Sequence, residues 1–140
     1  MFNESALILI GGVCQFGILI ASASAPRLLD WKQSLGTLQP LNRQIIWTHG
    51  AYVAGMIAAF GLLSISAPQL LADGTPLARI VCSFIAIFWG VRLLLQYLVF
   101  DPREYLTTFW LAVGYHMLTL VFTVVTMIYA WVAVSPWIGV

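Results

Sequence analysis

Four long apolar runs limit what this chain can fold into: about Ser5 to Ala23, Asn42 to Ser66, Leu77 to Phe100 and Tyr105 to Val134. A helix needs roughly 20 such residues to cross the hydrocarbon core of a bilayer. Only 8% of the chain is charged, against about 25% for a soluble domain. The expectation is an all-α integral membrane protein, a single domain over residues 1–140, built as an up-and-down bundle of four transmembrane helices. The short connections hold no extramembrane domain. A formal charge of +1 without a long basic run excludes nucleic acid as a partner, leaving the lipid bilayer as the first one.

Charge placement orients the bundle. Arg27, Lys32 and Arg43 fall between the first two spans and Arg103 between the last two, whereas the remaining connection offers only Arg79. By the positive-inside rule the first and third connections are cytoplasmic. Both termini then face the periplasmic or outer side, and the setting is a bacterial inner membrane. The leading MFNES has no cation, so the first run reads as a retained helix despite the small residues of ASASA at its end.

Between the first two spans, Ser24 and Pro26 have the chemistry of a helix start, and Leu28, Trp31, Leu35 and Leu38 recur at helical steps. This predicts a short amphipathic helix lying in the interface, with a plain linker as the alternative. On the other side, Pro68 stops the second span, Asp73-Gly74 turns the chain and Pro76 opens the third span. Cys14 and Cys82 lack metal-ligand or redox spacing and read as small buried residues.

Helices associate in lipid through close packing, so rows of small residues mark contact faces. The second span carries Gly50, Ala54, Ala58 and Gly61 in such a row, and the first carries Gly12, Gly17 and Ala21. The fourth span has a longer one: Thr108, Ala112, His116, Thr119, Thr123, Thr126 and Ala130. Its threonines either bond their own helix and allow tight packing or line a polar conduit. On both readings the stripe faces protein, and His116 with it.

Each span places a hydrogen-bonding side chain in the cytoplasmic half: Gln15, His49, Arg92 with Gln96, and His116. Counting along the helices puts His49 roughly 12 Å and His116 roughly 18 Å from their starts. Arg at a helix centre costs at least about 2.5 kcal/mol to insert, so these groups are expected to cluster as a site. No Asp or Glu lies within a span, Asp101 and Glu104 being at the boundary. Arg92 therefore awaits an oxygen from outside the chain.

Three readings follow. In the first, His49 and His116 ligate the iron of haem b and Arg92 meets a propionate, with Gln96 and Gln15 completing the site for membrane electron transfer. In the second, the same layer donates hydrogen bonds to a quinone or a lipid headgroup. In the third, the chain is a structural or assembly subunit of a larger membrane complex, or a homo-oligomer. No nucleophile, acid pair or metal cluster fixes a reaction class, so no catalytic residue is assigned and independent catalysis is not expected.

Overall fold

The computed structural model describes residues 3–28, 30–101, 103 and 106–138. In chain order it consists of α1 (Glu4–Leu28), α2 (Trp31–Ser34), a 3₁₀ turn (Leu35–Thr37), α3 (Pro40–Ser66), α4 (Pro68–Leu71), α5 (Pro76–Leu98) and α6 (Phe109–Ile138). Among the described residues there is no strand. Helices α1, α3, α5 and α6 are each long and apolar enough to cross a membrane. Their outward surface matches that composition, with Ile20 and Tyr52 both 75% exposed and Trp110 76% exposed.

Two boundaries depart from the sequence reading. Helix α1 runs through Ser24 and Pro26 instead of stopping before them; Ser24 Oγ turns back on the Ala21 carbonyl at 2.6 Å and starts no new helix. Pro26 falls in the last turn and lacks the N–H that would bond the Ser22 carbonyl, and the helix continues only to Leu28 beyond it. The chain breaks at Asp30, whose φ of 45° is left-handed, a conformation that Asp tolerates better than most residues. The expected interfacial helix is thereby cut to the single turn of α2 and the 3₁₀ turn. Its anchor is Trp31, edge-on to Trp47 of α3 with ring centroids 5.5 Å apart.

Helix α6 starts at Phe109, later than expected, and Glu104 and Tyr105 lie outside the described residues. The Thr108 carbonyl accepts the Ala112 N–H at 3.1 Å, which makes Thr108 the residue that caps α6 rather than part of its stripe. Counted from the new start, His116 lies about 10 Å into its helix, against about 14 Å for His49 in α3.

The α3–α5 connector follows its turn chemistry. Gly74 takes a φ of 71°, the Asp73 carboxylate accepts the Thr75 N–H at 2.9 Å, and Thr75 Oγ1 accepts the Ala78 N–H to cap α5. The backbone and then the hydroxyl of Thr75 hold the Asp73 carboxyl below its ordinary range. Pro68 and Leu71 of α4 are buried under this end.

Helix α5 makes its most extensive pairing with α6, and α1 with α3; α1 also packs on α6. In α5 and α6 the partners run in opposite directions: Arg79 with Ala133, Gly90 with Thr126, Gln96 with Thr119. Helices α1 and α3 cross where Gly12 meets Gly61. A side-chain carbon added at Gly12 would lie 2.9 Å from Ile65 and 3.2 Å from the Gly61 carbonyl. One added at Gly61 would lie 2.9 Å from the Phe16 ring. Only this end of the α3 row is used: Ala54 and Ala58 are half-buried, Gly50 is exposed, and Gly17 of α1 is exposed as well.

Candidate ligand cavity beside Arg92

Two chains of hydrogen bonds organise the interior. In the first, Trp89 Nε1 donates to Gln15 Oε1 at 3.4 Å, and Gln15 Nε2 donates to the Tyr129 hydroxyl at 2.8 Å. Ser64 Oγ donates to the Phe60 carbonyl at 2.7 Å, so the Tyr129 hydroxyl, 2.6 Å away, is the donor to Ser64. One residue from each long helix thus enters a single directed chain that ends on a backbone oxygen. All four side chains are buried, and the alternative to pairing, a bare polar group in an apolar interior, is costly.

The second chain fixes the cation. Arg92 Nη1 donates to Gln96 Oε1 at 3.1 Å, Gln96 Nε2 donates to Thr119 Oγ1, and Thr119 Oγ1 donates to the Tyr115 carbonyl at 2.9 Å. Thr123 Oγ1 and Thr126 Oγ1 bond the carbonyls four residues earlier, the local packing role rather than a conduit. The guanidinium also lies over two rings, 4.9 Å from the Phe122 centroid and 5.2 Å from that of Phe100. Among the described residues the salt bridge found is Arg103 with Asp101, at 3.7 Å and largely exposed. Among the described residues, Arg92 has no carboxylate at that range.

Arg92 opens onto a cavity of about 650 Å³ walled by α1, α3, α5 and α6, within the roughly 300–1,000 Å³ of small-molecule sites. Ile18, Ile57, Trp89 and Phe122, all buried, form its floor. Leu28, Phe100, Asp101 and Trp110, all exposed, lie at its mouth. Between them stands half-buried Arg92, and most of the remaining wall is apolar. Such a wall takes the body of an apolar molecule, and the guanidinium takes an oxygen. At an effective dielectric of about 20, a full negative charge about 4 Å away gains roughly 4 kcal/mol.

The residues singled out from sequence divide into groups. Arg92, Gln96 and Thr119 form one chain and Gln15 belongs to the other. The histidines join neither. His49 is exposed, its Nδ1 3.3 Å from the Ile45 carbonyl of its own helix. His116 is exposed too, edge-on to Tyr115 with centroids 5.5 Å apart, and neither ring lines the cavity. The register that pairs Gln96 with Thr119 brings His116 opposite Val99, the residue that caps α5, so the neighbour that would cover it has ended. No group of three His, Cys, Asp or Glu side chains suited to a metal ion occurs among the described residues.

Tyr129 and Ser64 are the functional-looking residues that sequence reasoning passed over. The available signal was a tyrosine about 14 Å inside the end of α6, too deep for an interfacial anchor. Comparison of the chain with family models, curated proteins and solved structures returns no match.

Proposed function

We propose that this is a small integral membrane protein, an up-and-down four-helix bundle, that binds an amphipathic ligand in the cavity beside Arg92. The ligand's apolar body lies against Trp89 and Phe122, and an oxygen-bearing head meets the guanidinium. The observation that carries this reading is a half-buried cation, held from behind by Gln96, on a mostly apolar cavity wall. A lipid or a quinone has the required chemistry, and the protein's role is to bind rather than to catalyse.

The cluster of Arg27, Lys32, Arg43 and Arg103 supports a cytoplasmic mouth, hence outward-facing termini and a bacterial inner membrane. Haem b, the first reading from sequence, draws less support, because His49 and His116 are exposed and line no part of the cavity. The test is to extract and identify what stays with the protein purified in mild detergent. Wild type retains a stoichiometric lipid or quinone that Arg92→Gln loses; identical extracts from the two proteins sink the proposal.

The outer face of α3 favours a second, compatible reading as a subunit of a larger complex or a homo-oligomer. A side-chain carbon added at Gly50 or Gly55 meets nothing within 4 Å, so much of this small-residue face is unused within one copy. Cross-linking through a Gly50→Cys substitution in native membranes captures a partner on this reading. A chain that stays monomeric and uncross-linked contradicts it.

A further inference from the structure

The order of groups along the cavity narrows the ligand. From floor to mouth the wall runs from buried apolar side chains, through one cation, to one carboxylate: Phe122 and Trp89, then Arg92, then Asp101. The guanidinium stands between floor and mouth, 4.9 Å from the Phe122 ring and 5.2 Å from the ring of Phe100, the residue that precedes Asp101. Yet the two charges form no ion pair within 4 Å. Asp101 Oδ1 accepts the Arg103 N–H at 3.1 Å and lies 3.7 Å from Arg103 Nε, while Oδ2 has no hydrogen bond among the described residues.

A cation and a carboxylate that line one cavity without pairing with each other complement a ligand that carries both signs in the reverse order. Apolar tail, phosphate and primary ammonium follow one another in that order in an aminophospholipid lying in its normal orientation, tails towards the bilayer centre. We propose that the ligand of this cavity is an aminophospholipid of the cytoplasmic leaflet, its phosphate at Arg92 and its ammonium at Asp101. The inference rests on the reading of the cavity as a ligand site.

Asp101 also acts against competitors. A lipid whose head is anionic without an amine gains at Arg92 and is repelled at the mouth, and discrimination of this kind needs a repulsive element as well as an attractive one. A neutral quinone gains nothing from Asp101. Arg103 does not line the cavity, and its ion pair with Asp101 lies at the surface with both side chains largely exposed, so the pair is weak and a bound ammonium can compete for the carboxylate.

Native mass spectrometry of the delipidated full chain in detergent, titrated in turn with phosphatidylethanolamine and phosphatidylglycerol, tests this. The ethanolamine lipid is expected to bind at least about tenfold more tightly. Asp101→Asn, an exposed and nearly isosteric change, is expected to bring the two lipids level, by weakening the ethanolamine lipid and tightening the glycerol lipid. Equal binding of both lipids by wild type, or a preference that Asp101→Asn leaves intact, overturns the aminophospholipid assignment while the cavity stands as a lipid site. Failure of both lipids to bind, or binding that Arg92→Gln leaves unchanged, overturns the cavity reading and this inference with it.

Discussion

The Tyr129 hydroxyl lies 2.6 Å from Ser64 Oγ and 2.8 Å from Gln15 Nε2, and so joins α6 to α3 and α1 through one oxygen. Because Ser64 directs its own proton to Phe60, the polarity of the chain is fixed. Tyr129→Phe then strands the buried Gln15 amide, at a cost of about 1–2 kcal/mol. Ser64→Ala costs less, about 0.6 kcal/mol, in line with single interhelical bonds in membranes. Thermal unfolding in detergent checks the ranking, and a reversed order contradicts the assigned direction.

Gly12 and Gly17 are one turn or so apart on α1, yet only Gly12 has a neighbour where a side chain would go. Gly12→Ala is expected to destabilise by about 1–3 kcal/mol, the usual range for overpacking a closed contact. Gly17→Ala is expected to be neutral or slightly stabilising, since Ala is the better helix former. Equal effects at the two sites would place the α1–α3 crossing elsewhere.

Gln96 holds Arg92 without lining the cavity. Gln96→Leu removes a hydrogen bond to a charged group, about 1.5 kcal/mol, and is expected to weaken ligand binding roughly tenfold while leaving the ligand's identity unchanged. Thr119→Val, one bond further back, is expected to have a smaller effect in the same direction. Titration of each variant with the ligand recovered from wild type reads both.

The two histidines are exposed on their helices, so His49→Ala and His116→Ala are each expected to shift stability by less than about 0.5 kcal/mol and to leave the cavity ligand bound. An absorption spectrum completes the comparison. A Soret band in wild type that either substitution abolishes would restore the haem reading.

Asp73 supplies a pH dependence of known sign. The Thr75 N–H and hydroxyl hold its carboxyl below the ordinary value, so the connector's stability is fully present above the unfolded carboxyl's pKa and is lost as pH falls through the lower folded value. Thermal unfolding from neutral pH down through the acid range is expected to show this decline, and Asp73→Asn is expected to flatten it. A decline that survives in Asp73→Asn assigns it to another group.

Hydropathy is additive along a chain, which is why the four long helices were legible in the sequence to within a few residues. Their ends were less so, because α1 continues through Pro26 to Leu28, and no breaker in Thr107-Thr108 marks the later start of α6 at Phe109. Arg92, Gln96 and Gln15 were legible because a polar side chain in an apolar run is expensive and needs a partner. His116 shares the angular position of Thr119 and Thr123, which are buried and half-buried, but it is itself exposed rather than facing protein. Its exposure was not legible, because it depends on where α5 ends opposite it. Tyr129 and Ser64 were hidden for a different reason: a tyrosine and a serine are ordinary residues in spans, and only the meeting of helices shows what they bond.

The most direct test of the central claim is a density map of the protein crystallised from a lipidic mesophase without added ligand. Continuous density running from the Trp89–Phe122 floor to a head within hydrogen-bond distance of the Arg92 guanidinium is the predicted result. A cavity closed by inward collapse of Trp110 and Tyr115, with Arg92 turned onto a carboxylate of the chain, would contradict the account.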